Sequence, residues 1–120
     1  MGCSCCGGVK LLFSCSGAAD VGELSDLAAR KLNKETELSM YCLAGIGGKV
    51  SGIVKTTEAA DQIVVIDGCP VNCAKKSLDE AGITKYDHIQ LADLGFEKGK
   101  TKSTDENILT VYNKAVELCN

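Results

Sequence analysis

The segment Gln62 to Ile66, QIVVI, narrows the fold more than any other part of the chain. A near-continuous β-branched run without polar alternation marks a strand buried on both faces, and such strands belong to parallel sheets with helices above and below. The surrounding pattern agrees. Val9 to Ser14 is a short apolar run that Cys15-Ser16-Gly17 breaks. Asp20 followed three residues later by Glu23 reads as a capping box with Asp20 as N-cap. From there Leu24, Leu27, Ala28 and Leu32 recur at helical spacing to about Asn33. Glu37 to Tyr41 is a fainter strand, followed by Cys42 and the glycine-rich stretch LAGIGGKVSG, with a short helix expected over 53–60.

Beyond QIVVI comes Asp67-Gly68-Cys69-Pro70. Pro70 suits the first turn of a helix, expected to run over Val71 to Ala81 and to stop at Gly82 as its C′ residue. His88 to Ala92 reads as a fourth strand. Residues 96–103 form a polar loop, and Thr104 or Asp105 opens a last helix to about Leu118. Strands alternating with helices imply right-handed βαβ units. The expected class is therefore α/β: a three-layer, Rossmann-like fold on a four-stranded parallel sheet, in the flavodoxin-like order 2-1-3-4. In 120 residues there is room for one such domain, over 9–120. Residues 1–8, MGCSCCGG, lack periodicity and read as a flexible Cys-rich arm.

The cysteines fall into this frame in a regular way. Cys15, Cys42 and Cys69 follow the first three strands at intervals of 27 residues, about one strand-helix module. Each interval returns the chain to the same sheet edge, the carboxyl ends of the strands, where open α/β sheets bind ligands. Cys73 lies four residues after Cys69; on a helix starting at Pro70 it sits one turn in and faces the same point. The helices opening after Gly17 and Pro70 aim unpaired N–H groups at that edge, which favours negative charge there. Four converging thiolates suit a closed tetrahedral Zn²⁺ site or an iron–sulfur cluster. The same cysteines also suit a thiol-based redox or nucleophilic enzyme, with Cys69 and Cys73, or Cys15, as nucleophile and resolving partner. A third possibility is that they are small buried hydrophobes.

The run Ile66-Asp67-Gly68-Cys69-Pro70-Val71-Asn72-Cys73-Ala74-Lys75-Lys76 resembles the signature of the DGC-domain family. Ser14-Cys15-Ser16-Gly17 and Tyr41-Cys42-Leu43-Ala44-Gly45-Ile46-Gly47 are similar to that family's pattern as well. The likeness extends over nearly the whole chain from Val9. It implies zinc binding through four cysteines and gives the ligand role to Cys15, Cys42, Cys69 and Cys73. It implies no reaction.

Asp67 either caps its own loop or acts beside the ligands, orienting them, and Asn72 has a similar choice. Cys3, Cys5 and Cys6 form a separate thiol cluster, either plain tail or an accessory arm that hands a soft metal to the folded site. His88, the only histidine, begins its strand and is expected at the opposite edge, in a surface or turn role. A Cys–His catalytic pair is disfavoured on that account.

Composition excludes several classes. Net charge is −3 with no basic stripe, and the only aromatics are Phe13, Tyr41, Tyr86, Phe96 and Tyr112. This disfavours nucleic acid and anionic membranes as partners. Nothing before the first cysteine resembles a leader's apolar region, and position 6 of the Met-Gly start is Cys rather than Ser or Thr, against myristoylation. The reading is of a cytoplasmic protein, in which clustered thiols stay reduced and point to metal or redox chemistry.

Overall fold

The computed structural model describes residues 8–119; the Cys-rich stretch with Cys3, Cys5 and Cys6 lies outside the described residues. Four strands, β1 (Lys10–Ser14), β2 (Ser39–Met40), β3 (Gln62–Asp67) and β4 (Asp87–Gln90), form one sheet in the order β2-β1-β3-β4. Every pairing is parallel, with Leu12 opposite Val64 and Met40, and Val65 opposite His88. This is the expected class and the expected order. The helices are α1 (Asp20–Glu35), α2 (Leu43–Gly47), α3 (Ser51–Glu58), α4 (Cys73–Glu80) and α5 (Asp105–Cys119), with a 3₁₀ turn over Leu91–Leu94.

Alternation along the strands divides the core in two. Leu12, Val64, Ile66 and Ile89 meet α1 and α5 through Leu24, Ala28, Leu32, Val111 and Ala115. Leu11, Phe13, Ile63 and Val65 meet the other layer through Ile46 of α2 and Ala74 and Leu78 of α4. Because β1 and β3 are covered on both sides, their sequences read as apolar runs. Phe13 is the one aromatic among the fully buried side chains, so the core is largely aliphatic, as composition requires.

Crossing from β1 to β2 uses one face, and crossing back from β2 past β1 to β3 uses the other. The crossover direction thus reverses between β1 and β3. A crevice opens at such a switch point, at the carboxyl ends of the strands.

Several boundaries differ from expectation for local reasons. β2 has only two residues, which fits the weak strand signal there. Five residues of the glycine-rich stretch wind into α2, capped by the Cys42 sulfur, which accepts from Gly45 N at 3.3 Å. α1 has Ala19 as its N-cap, and Asp20 is the first helical residue, its carboxylate turned to the 96–103 loop. α4 begins at Cys73, because Pro70 and Val71 are spent on a turn in which Asn72 N bonds Cys69 O at 3.2 Å. Gly82 does follow α4 in the left-handed region, at φ 84°.

Candidate functional site

The free thiols gather around the switch point. Cys15 directly follows β1 and is buried, its N–H bonded to Ile66 O at 2.9 Å, so the bonding to β3 runs on one residue beyond the strand. Its carbonyl takes a hydrogen bond from Ser25 Oγ of α1, which also bonds Gly22 O at 2.9 Å. Cys69 is half-buried and Cys73 exposed at the first position of α4. These three line one cavity of about 450 Å³ together with Gly17, Ala18, Ala19, Gly22 and Lys98.

Cys42 is placed differently. It is exposed and lines an adjoining depression of about 510 Å³ beside Ser14 and Ser16. All four predicted cysteines are therefore free thiols at the carboxyl edge, three in one cavity and the fourth in the depression next to it. Among the described residues, no group of three or more Cys, His, Asp or Glu side chains is arranged so that it could hold a metal ion. Cys119, at the end of α5, is disulfide-bonded.

The Asp-Gly-Cys triplet has a steric and a polar function. A Cβ on Gly68 would stand 2.4 Å from Val21 O and 2.7 Å from Gly22 N, so only glycine lets β3's end meet the first turn of α1. Asp67 is 1 % exposed and accepts from Ala74 N at 2.8 Å and Lys75 N at 3.0 Å. It thus satisfies two of the N–H groups that open α4. Its backbone donors lie seven and eight residues on, in α4, rather than in its own loop.

His88 is where the sequence reading fails. It was expected at the far edge in a surface role. Instead β4 starts one residue earlier, His88 pairs with Val65 inside the sheet, and its Nε2 bonds Asp67 Oδ2 at 2.9 Å. With a carboxylate as acceptor, this nitrogen is the donor. Two residues on, Gln90 Nε2 donates to Cys69 O at 3.0 Å and to Asn72 Oδ1. Asn72 itself is in the left-handed region at φ 59° and makes no side-chain cap to α4.

A second feature without a sequence signal is the attachment of the 96–103 loop to α1. Asp20 accepts from Gly99 N and Thr101 N, each at 2.9 Å, and Ser103 Oγ reaches Glu23 Oε1 at 3.1 Å. These bonds fold the loop onto the start of α1 and bring Lys98 to the cavity wall. The backbone donors of Gly99 and Thr101 hold the Asp20 carboxyl below its usual range.

An open parallel sheet with reduced thiols at its switch point defines a small α/β protein built around a cysteine edge. The chain belongs to the DGC-domain family, whose pattern matches residues 11–115. It is 32 % identical over 90 residues to the "Anaerobic and virulence modulator AnvM" of Pseudomonas aeruginosa, covering 75 % of this chain and 69 % of that protein. No solved structure matches. No helix among the described residues is long and apolar enough to cross a membrane.

Proposed function

We propose that this protein binds a metal ion, zinc, through Cys15, Cys42, Cys69 and Cys73, in the service of metal trafficking or sensing. The observation that carries the reading is the shared cavity of Cys15, Cys69 and Cys73 at the β1/β3 switch point, with Cys42 in the depression beside it. The donor set fits: four thiolates suit Zn²⁺, and a set of that size leaves no open coordination position. The N–H bond from Gly45 to the Cys42 sulfur is of the kind that orients a thiolate ligand. Family membership supports a metal-binding role, and a relative named as a modulator is in keeping with sensing.

Because the thiols do not stand ready in ligating geometry, zinc uptake in this reading draws the Cys42 loop and the Cys69–Cys73 loop together. An iron–sulfur cluster on the same ligands is the variant of this reading that colour would reveal. The proposed setting is the cytoplasm, where thiols stay reduced. Cys3, Cys5 and Cys6 would act as accessory thiols that pass the ion on. The proposed ligand is the ion itself, with neither nucleic acid nor membrane involved.

Among the described residues no three ligating side chains are grouped as for a metal ion, which favours one second reading, a thiol-based redox or cysteine-nucleophile enzyme with Cys69 and Cys73, or Cys15, as nucleophile and resolving partner. Metal content of anaerobically purified protein separates the two. About one colourless zinc per chain is expected, lost in each of Cys15→Ser, Cys42→Ser, Cys69→Ser and Cys73→Ser. It is retained when Cys3, Cys5 and Cys6 are replaced. Protein without metal, with a single cysteine outpacing the others in alkylation, would make thiol chemistry the function.

A further inference from the structure

Side chains at alternate positions of a strand share a face, so His88 and Gln90 both point away from Ile89, which is buried against the α1/α5 layer. On that shared face each finds a polar group of the segment that carries Cys69 and Cys73. His88 reaches Asp67, immediately before Gly68-Cys69, and Asp67 in turn holds the N–H groups of Ala74 and Lys75 just after Cys73. Gln90 holds the carbonyl of Cys69 and the side chain of Asn72, immediately before Cys73. The bonds therefore bracket both cysteines. Gln90 thereby also anchors Asn72, whose left-handed backbone at φ 59° is one that asparagine tolerates better than most residues.

We propose that His88 and Gln90 are positioning residues of the thiol site. Together they seat the Cys69–Cys73 loop on β4 and set how these two sulfurs face the cavity they share with Cys15. This inference rests on the metal-binding reading for its purpose, though not for its geometry. Neither residue lines the cavity that holds the three thiols; His88 donates to the carboxylate that caps α4, and the Gln90 amide bonds Cys69 and Asn72.

The test uses the full chain in four forms: wild type, His88→Leu, Gln90→Leu and His88→Gln, the last keeping an N–H donor at similar reach. Two quantities are read. One is zinc affinity by competition with a chromophoric chelator. The other is amide hydrogen exchange at Ala74 and Lys75 in the metal-free protein, a measurement that does not depend on metal binding. The two Leu variants are expected to bind zinc about ten-fold more weakly, the scale on which outer partners of ligands act. Exchange at the two amides should be several-fold faster in His88→Leu and restored to near wild type in His88→Gln. Wild-type affinity and exchange in both Leu variants would overturn the proposal. So would an equal loss in His88→Gln and His88→Leu, since the donated bond would then be irrelevant. If wild type takes up no zinc, the metal reading fails by itself, and the exchange of Ala74 and Lys75 alone decides whether His88 seats the loop.

Discussion

Single residues in the Asp67–Cys73 segment have unequal tolerance to change, and the contacts say which will fail. Gly68 sits against backbone, which cannot move aside as a flexible side chain can. Gly68→Ala places its methyl 2.4 Å from Val21 O, and overpacking of this sort costs about 3 kcal/mol. Thermal unfolding should fall by roughly 10 °C for a domain of this size. A melting temperature within 2 °C of wild type, on the order of 0.5 kcal/mol at that conversion, would show that α1 can shift away from β3. Asp67→Ala acts by another route: two N–H groups at the start of α4 and the His88 donor lose their acceptor, at about 3 kcal/mol in all. Chemical denaturation would measure it, and Asp67→Asn should lose less, since the amide keeps one acceptor oxygen. The position of Cys15, Cys42 and Cys69 after successive strands was legible because their 27-residue interval matches the module length, and Cys73 followed from its four-residue spacing to Cys69. The roles of His88 and Gln90 were not legible, because their partners Asp67, Cys69 and Asn72 lie about twenty residues away in the chain, contacts that no local pattern encodes.

At the level of elements, strand and helix identities followed from apolar runs and periodicity, and the ends did not. α4 starts three residues later than Pro70 invites, because Asn72 in the left-handed region separates the turn from the helix. α1 begins with Asp20 inside it, because that carboxylate is taken by a loop about eighty residues away, a contact no local pattern encodes. This latch has a definite pH response. The folded-state pKa of Asp20 is lowered, chiefly by the Gly99 and Thr101 donors. Its contribution is therefore fully present above the unfolded value, near 3.8, and is lost as pH falls through the lower folded value. Between pH 7 and 5 the amide resonances of Gly99 and Thr101 should stay fixed, and below about pH 4 they should move together. In Asp20→Asn that shared low-pH movement should be absent. If it persisted there, some other carboxyl would be the latch.

For the whole molecule, the decisive point is that the four cysteines come from three separate modules. Cys15 follows β1, Cys42 caps α2, Cys69 follows β3 and Cys73 opens α4. An ion held by all four would join the middle of the sheet to the helical layer that α2 and α4 share. It would bind the folded chain far better than the unfolded one, so the gain in stability follows from mass action. At free zinc a hundred-fold above the dissociation constant, that gain is about 2.7 kcal/mol, or roughly 10 °C in melting temperature for a chain of this length. Scanning calorimetry with zinc and then with excess chelator should show the rise and its reversal. Cys42→Ser is the informative variant, because Cys42 lies in the neighbouring depression and must be drawn in. If zinc stabilised wild type and Cys42→Ser equally, the site would consist of Cys15, Cys69 and Cys73 alone, with a coordination position left open. A stabilisation that falls sharply in Cys42→Ser means instead that the ion closes the two depressions into one four-thiolate site.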